Sequence, residues 1–152
     1  MGLTFEAFEP GATFVTPRRT ITEADILQFA GLTADYNPLH TDEIFAAGTS
    51  FGGRIAHGPM LVGMAFGLAS RAGLFDGTVL GLLDITWSFT GPVRSQDTVH
   101  VRVMVTGKRP TRKPERGIVD LRLEIVNQRD EVVQTGTAAV LIAAAGHRGQ
   151  DG

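Results

Sequence analysis

An aspartate and a histidine lie five positions apart around an Asn-Pro pair, in the segment Asp35-Tyr36-Asn37-Pro38-Leu39-His40. If the chain turns at the proline, their carboxylate and imidazole can converge on one water molecule. Such a pair supplies a general base and a general acid with different intrinsic pKa values, which suits proton transfer between water and carbon. Asn37 can orient either partner by hydrogen bonding. Taken alone, each residue also fits an ordinary turn, since Asp and Asn are common turn formers.

A second motif follows about 20 residues later, in the run Arg54-Ile55-Ala56-His57-Gly58-Pro59. It precedes an apolar segment, so we expect free backbone N–H groups at a helix N-terminus, where the helix dipole favours negative charge. Such a site can stabilise a developing oxyanion, and Gly58 permits close approach because it has no side chain. Gly58 and Pro59 could equally serve only to start the helix. His57 is interpreted as a second acid/base group or as a structural residue that fixes the turn.

The elements that must position these motifs follow from hydrophobic periodicity. The segment from Gly58 to Ala72 predicts a helix that is apolar on every face and must therefore be covered by other structure. Alternating apolar and polar residues predict antiparallel strands with one wet face. The strands are expected at Thr78–Thr90, Thr98–Thr106, Ile118–Val126 and Val132–Ala143. The pattern indicates an α+β fold, with an antiparallel sheet curled around one long helix and two copies paired to complete its burial.

Shorter elements are expected in the first half of the chain. Thr22 and Asp25 form a variant capping box, which predicts a helix from Glu23 to about Leu32. The other predicted elements are a strand near Phe14–Arg19, a loop over Thr33–His40 and a short helix over Asp42–Ala47.

Length and composition favour one domain over residues 1–145, followed by a polar tail at 146–152 that we expect to be disordered. The net charge of −2 provides no global basic field to recruit nucleic acid or a membrane surface. The absence of cysteine excludes disulfides, cysteine-based zinc sites and a thiol nucleophile. The N-terminus does not resemble a signal peptide, and the longest apolar run is too short to span a membrane. We therefore expect a cytoplasmic protein.

The two motifs together resemble those of the MaoC-like, (R)-specific enoyl-CoA hydratases. The resemblance rests on the run from Asp35 to Asp42 and on Ile55-Ala56-His57-Gly58, and it extends from about Thr20 to Ile142. It implies a hot-dog fold, with an antiparallel sheet wrapped around a long helix, usually in a homodimer that can assemble further. It also implies an acyl-CoA substrate and no metal or redox cofactor.

The resemblance assigns roles to three residues. Asp35 would take a proton from water as the water attacks C3 of a trans-2-enoyl thioester, and His40 would position that water and supply a proton to C2. The Gly58 N–H would bind the thioester oxygen, and dehydration would be the reverse. One departure is Phe66, which stands where some relatives have a small hydroxyl residue; its bulk is expected to affect the acyl pocket.

A basic cluster and two alternative functions stay open. Arg109, Arg112 and Lys113, flanked by Lys108 and Arg116, form either a solvated hairpin loop or a contact for the phosphates of coenzyme A. No aromatic residues interleave the cluster, which disfavours nucleic acid. The alternatives to a hydratase are a hot-dog acyl-CoA thioesterase, which also uses a carboxylate and a water, and an acyl-CoA-binding subunit without turnover. Trp87 and Phe89 are interpreted as core or dimer contacts.

Overall fold

The computed structural model describes residues 1–147. Its helices and strands are, in chain order, β1 (Thr13–Val15), β2 (Arg19–Thr20), α1 (Glu23–Thr33), α2 (Pro38–Thr41), α3 (Glu43–Ala47), α4 (Gly58–Arg71), β3 (Val79–Phe89), β4 (Thr98–Pro110), β5 (Arg116–Val126) and β6 (Val132–Ala143), with a 3-10 turn at Phe5–Ala7.

Both predicted long helices and all four predicted long strands are present. The largest differences from the predicted bounds occur at three places. The strand expected near residues 14–19 is two short strands, β1 and β2. β4 continues to Pro110 because a register shift between Val105 and Gly107 absorbs an irregularity, and pairing with β5 then resumes. The predicted loop at 33–40 contains α2, because Pro38 occupies a first helical turn, where its missing N–H is not needed.

The sheet is antiparallel, with the strand order β1-β4-β5-β6-β3, and β2 pairs with the start of β4. Alternate residues of the central strands point to one face and are buried, which confirms the predicted period of two. These residues are Val99, Val101, Val103 and Val105 on β4, and Val119, Leu121, Leu123 and Ile125 on β5. The other face carries more exposed side chains, such as Arg122 and Met104.

Helix α4 packs against β4 and β5 through buried residues that include Leu61, Ala65 and Leu68. Its opposite side is a stripe of exposed residues at four-residue spacing: Pro59, Gly63, Gly67 and Arg71. A single chain therefore does not cover α4 on every side, as expected from the predicted need for two copies to complete its burial. A proline, two glycines and an arginine occupy that side, so it presents little apolar side-chain surface to cover.

Helix α1 begins with the predicted capping box, in which the Thr22 side chain accepts from the Asp25 N–H and the Asp25 carboxylate accepts from the Thr22 N–H. Burial of the Asp25 carboxyl opposes ionisation, but hydrogen bonds from Thr22 and the nearby Arg19 outweigh it, and the pKa of Asp25 lies below its usual range. The helix ends at Thr33, and Ala34 adopts a left-handed conformation with φ of 60°. This reversal turns the chain directly before Asp35.

No helix within residues 1–147 has the length and hydropathy needed to cross a membrane. Of the predicted tail, Gly146 and His147 are described, and the His147 N–H donates to the Ala144 carbonyl. The remaining tail residues, 148–152, lie outside the described part of the chain.

Candidate active site

Asp35 lies in the turn between α1 and α2, and its side chain is 49% exposed. One carboxylate oxygen accepts from the Asn37 N–H at 3.2 Å, which is the local turn expected of an Asp at this position. The other carboxylate oxygen lies 4.0 Å from Nε2 of His57. Asp35 is thus held by its own loop on one side and faces a histidine on the other, while its carboxylate stays open to solvent.

His40 is carried by α2, and Asn37 caps that helix. The Asn37 side-chain oxygen accepts from the Leu39 N–H at 3.0 Å. The ring of His40 places Nδ1 at 2.8 Å from the Ile55 carbonyl oxygen, so Nδ1 carries a proton and donates. Nε2 of His40 is left to exchange a proton with a ligand. Asn37 therefore positions His40 through the backbone, rather than by a bond to the ring.

His57 is 1% exposed and lies beneath Asp35 and His40. Its ring stacks on His40 with centroids 3.8 Å apart and an interplanar angle of 27°, and Phe29 lies on it at 5.1 Å. Its Nε2 donates to the Asp35 carbonyl oxygen at 2.9 Å. Within residues 1–147, Nδ1 is buried without a hydrogen-bond partner. A proton there would be an unsatisfied buried donor, so the geometry favours a proton on Nε2 and a positioning role.

Asp35, His40 and His57 form one cluster, in which one carboxylate oxygen and one nitrogen of each ring lie within 4.8 Å of one another. This spacing resembles that of metal ligands. However, the two rings are nearly parallel, and their lone pairs lie in the ring planes, so the lone pairs run side by side instead of converging on one ion. The arrangement suits an acid/base pair resting on a buried ring better than a metal centre.

Gly58 is the first residue of α4 and directly follows His57. Within residues 1–147 its N–H donates to no protein acceptor, as expected for a helix N-terminus without a side-chain cap. A Cβ at this position would lie 2.8 Å from the Phe89 ring, so only glycine fits here without a shift. The predicted oxyanion donor therefore has no acceptor among residues 1–147, and it directly follows His57, which contacts both Asp35 and His40.

A mainly apolar cavity of about 430 Å³ opens at the start of α4. Its walls come from the loop before α4, the end of β3, the segment that follows β3, and one residue of β6. The lining residues are Phe51, Ile55, Ala56, Gly58, Pro59, Phe89, Thr90, Gly91, Pro92, Val93 and Gln134. An apolar cleft of this size with a few polar groups is typical of a small-molecule site.

Sequence reasoning missed Gln134 and interpreted Phe89 only as a core or dimer contact. A signal for Gln134 was present. It lies on the core-facing side of β6, together with Gly136, Ala138 and Val140, all of which are buried. A polar residue on the buried face of a strand needs a hydrogen-bond partner, which is a reason to expect a specific role.

Charged residues hold the loop that leads into α4. Arg54 donates to Glu23 on α1 and, at 2.9 Å, to Glu43 on α3. The hydrogen bond to Glu23, and after it the one to Glu43, raises the pKa of Arg54. Arg94 donates to the carbonyl oxygens of Arg54 and Phe51 from the other side. These hydrogen bonds hold the loop to α1, α3 and the β3–β4 connection. They thereby fix the backbone that leads into His57.

The remaining predicted ligand residues lie away from the cluster. Phe66 is half-buried between α4 and β3, where its ring lies 6.5 Å from that of Trp87 and lines a separate cavity of about 280 Å³. Arg109 forms an ion pair with Asp120.

The basic hairpin that carries Arg109, Arg112 and Lys113 joins β4 to β5 at the end of the sheet where Arg116 pairs with Ala143. The site lies at the other end, where Phe89 pairs with Gln134. Residues 134 and 142 of β6 are separated by about 26 Å of strand. Within one chain, the structure does not bring the basic hairpin to the cluster of Asp35, His40 and His57.

Comparison with known proteins assigns the family. The family model described as MaoC like domain matches residues 6–127. Over 140 residues the chain is 36% identical to the 3-hydroxybutyryl-CoA dehydratase of Methylorubrum extorquens, an alignment that covers 92% of this chain and 84% of that protein. The chain belongs to the MaoC-like dehydratase family.

Other relatives agree with this MaoC-like assignment. The (R)-specific enoyl-CoA hydratase of Rhodospirillum rubrum is 36% identical over 128 residues, which cover 84% of each chain. Protein MaoC of Klebsiella aerogenes is 42% identical over 113 residues, 74% of this chain, but the match spans only 32% of that longer protein. Dehydratase and hydratase name the two directions of one reaction, so family membership places the chain among the hydro-lyases.

Solved structures identify the fold. The crystal structure of the MaoC-like dehydratase from Rhodospirillum rubrum superimposes with a TM-score of 0.83 at 33% identity, covering 94% of this chain and 98% of that one. Rv0216 of Mycobacterium tuberculosis, which has a double hot-dog fold, gives 0.84 at 21% identity and covers 95% of this chain and 45% of that one. The MaoC-like chain has the expected hot-dog fold.

Proposed function

We propose that this MaoC-like chain hydrates trans-2-enoyl-CoA to (R)-3-hydroxyacyl-CoA and catalyses the reverse dehydration. The observation that carries the proposal is the approach of the Asp35 carboxylate and a His40 ring nitrogen to within 4.8 Å, next to a free N–H at Gly58. The names of the relatives support the reaction and its stereochemistry, since one is an (R)-specific enoyl-CoA hydratase. The proposal names the substrate only by its class, the 2-enoyl thioesters, and does not specify the acyl chain.

The proposed step starts from the Asp35 carboxylate and the His40 imidazolium. Asp35 takes a proton from water as the water oxygen bonds to C3, and the C2–C3 π electrons move to form an enolate on the thioester. His40 donates its Nε2 proton to C2, which restores the thioester. The proton left on Asp35 then returns to His40, directly or through solvent. Water is added without oxidation or reduction, so the proposed chemistry requires no metal or redox cofactor.

In this proposal the Gly58 N–H holds the thioester oxygen. The α4 N-terminus supplies partial positive charge where the enolate becomes negative, and a fixed donor stabilises that charge without reorganising. The helix start is held in place by the loop contacts of Arg54 and Arg94, so the donor is preorganised. The basic hairpin stays a predicted contact for coenzyme A phosphates, one that a single chain does not bring to the site.

The experiment that tests the proposal is direct mixing of the purified chain with crotonyl-CoA. Hydration removes the conjugated double bond, so the enoyl absorbance should fall without release of thiol. Chiral analysis should find the (R)-3-hydroxy product. A panel of enoyl-CoAs of increasing chain length then reports the acyl range.

The same assay distinguishes the two alternatives. Release of free thiol while the enoyl absorbance persists would replace the hydratase by a thioesterase. Calorimetric binding of acyl-CoA without turnover of any enoyl-CoA in the panel would replace it by a binding subunit. The thioesterase and the binding subunit would have the same fold as the hydratase. The reaction measured in solution therefore distinguishes the three functions.

His57→Phe should lower kcat by about 10- to 100-fold, because small errors in the position of reacting groups are costly. The phenyl ring can still stack on His40, but the hydrogen bond from Nε2 to the Asp35 carbonyl is lost. The limbs of the pH–rate profile should keep their positions, since His57 is assigned no proton transfer. Loss of one limb in this variant would instead make His57 an acid/base group.

We also propose that β3 pairs with β3 of a second copy. Within residues 1–147, β3 pairs only with β6, and six of its large apolar side chains are 39–56% exposed. These residues are Val79, Leu80, Leu82, Leu83, Ile85 and Phe89. A long apolar edge strand is an aggregation hazard unless something covers it, and a second copy covers it symmetrically. The site lies beside Phe89, so the dimer would border the cavity at Gly58.

Ile85→Lys should convert a dimer to a monomer in sedimentation velocity, because it places a charge in the proposed contact. The wild-type protein should sediment at twice the chain mass of 16.2 kDa. Met104→Lys is a matched control, since Ile85 and Met104 are both 43% exposed and only Ile85 lies on the edge strand β3. A monomeric wild-type protein, or equal loss of dimer in both variants, would contradict this interface.

A further inference from the structure

Gln134 is a buried amide next to the start of α4. It lies on the core-facing side of β6 and is 2% exposed. Its side-chain oxygen accepts from the Trp87 indole N–H at 2.9 Å, and its Nε2 donates to the Gly58 carbonyl oxygen at 3.2 Å. Because an indole nitrogen can only donate, Trp87 fixes which end of the amide is the oxygen, and the NH₂ group must then face Gly58.

The indole that orients Gln134 is itself held in place. Trp87 pairs with Gly136 across the β3–β6 ladder, and a Cβ on Gly136 would lie 2.0 Å from the indole ring. The ring therefore occupies the space that a side chain on Gly136 would fill, and Phe66 packs nearby. A bulky ring seated on a glycine has little freedom to turn, so its N–H points steadily at Gln134.

Among Trp87, Gln134 and Gly58, it is Gly58 whose backbone most needs to be held in place. Glycine has the greatest backbone freedom of any residue, and Gly58 carries the N–H assigned to the thioester oxygen. Phe89, which pairs with Gln134 across the ladder, packs where a Cβ of Gly58 would be. The same pair of residues thus contacts Gly58 twice: Phe89 at its α-carbon and Gln134 at its carbonyl oxygen.

We propose that Gln134 is a positioning residue, which sets the direction of the Gly58 N–H by holding the Gly58 carbonyl. This inference rests on the proposed hydratase function, because the donor matters only if a thioester oxygen binds there. The Gly58 N–H and carbonyl lie in adjacent peptide planes that meet at the Gly58 α-carbon. A hydrogen bond that holds the carbonyl fixes one plane, and the contact of Phe89 at the α-carbon limits rotation of the other. The tether from Trp87 through Gln134 therefore fixes the donor from the rigid sheet, independently of the loop that carries Asp35 and His40.

The discriminating variant is Gln134→Glu. It keeps an oxygen for the Trp87 N–H but turns the second contact into an oxygen facing the Gly58 carbonyl oxygen, which is repulsive. We expect kcat for crotonyl-CoA to fall on the order of 10- to 100-fold, with KM changed far less. Trp87→Phe should cause a smaller fall, since it removes only the group that orients the amide. Gln28→Glu, the same change on the exposed face of α1, should leave kcat unaltered.

A spectroscopic measurement separates positioning from a loss of structure. A 4-dimethylaminocinnamoyl-CoA probe should absorb at longer wavelength when a donor polarises its thioester carbonyl. The spectrum is recorded in an Asp35→Asn background, so that the bound probe is not hydrated. Adding Gln134→Glu should reduce the red shift, while the thermal unfolding midpoint of the Gln134→Leu variant reports any general cost of changing the buried amide.

The outcomes are distinct. A reduced red shift and a fall confined to kcat support the proposal, and they keep their meaning even if the Leu variant is less stable. A wild-type kcat and an unchanged red shift in Gln134→Glu would overturn the positioning role while leaving the hydratase function intact. A wild-type protein that hydrates no enoyl-CoA would overturn the proposed function itself.

Discussion

Asp35→Asn and His40→Ala should each slow crotonyl-CoA hydration by about 10²- to 10⁴-fold, the range typical for loss of a general acid or base. Asparagine keeps the size of Asp35 and can still accept from the Asn37 N–H, but it cannot take a proton from water. The alanine variant removes the only ring nitrogen assigned to protonate C2. The measurement is the initial rate of enoyl absorbance loss at saturating substrate.

Two controls separate chemistry from folding. Asp130→Asn changes an aspartate in the left-handed turn between β5 and β6, a conformation that asparagine accepts readily. His100→Ala changes a partly buried histidine on the face of β4 opposite its buried valines. Both controls should keep the wild-type rate. If Asp35→Asn and His40→Ala also keep it, the assignment of the acid/base pair is wrong, whatever reaction the protein catalyses.

Gly58→Ala should reduce kcat by about 10²-fold, because a shift of about 1 Å in a positioned group can cost that much. The new Cβ would lie 2.8 Å from the Phe89 ring, so the ring must swing away or the start of α4 must move. The N–H is still present in alanine, and its position is what changes. The assay is again crotonyl-CoA hydration, with kcat and KM determined separately.

Combining Phe89→Leu with Gly58→Ala tests whether the Phe89 ring causes this loss of activity. A smaller, flexible side chain at position 89 can yield to the Cβ, so the double variant should recover part of the activity that Gly58→Ala loses. Phe89→Leu alone sets the baseline for loss of the ring. Full activity of Gly58→Ala would contradict the steric argument. No recovery in the double variant would show that Phe89 is not the group that excludes a side chain from Gly58.

Several features of this protein could be predicted from local sequence. Alternation in β4 and β5 predicted which residues face the core, because the side-chain period of a strand is a property of the backbone. The Thr22–Asp25 capping box and the starts of α1 and α4 also depend only on neighbouring residues. The segment containing Asp35 and His40 was predicted to turn, although its one-turn helix α2 was missed, because Pro38 can either end or begin a helix.

Long-range contacts could not be predicted in this way. The tautomer of His40 depends on the Ile55 carbonyl, 15 residues away, and the role of His57 depends on the ring it stacks against. Gln134 reaches Gly58 across 76 positions of sequence. None of these partners leaves a local pattern, since the energy of each contact depends on where the packed sheet places the two groups.

The sequence by itself determined the catalytic candidates, the order of the elements and the family, because two motifs at a given spacing and a set of periodicities are encoded locally. The tertiary structure decided three further points. It placed His57 beneath Asp35 and His40, it left the Gly58 N–H without an acceptor among residues 1–147, next to Phe89 and Gln134, and it put the basic hairpin at the opposite end of the sheet. The physical reason is strand register: pairing β3 with β6 decides which residues meet at each end of the sheet, and no single strand specifies that alone.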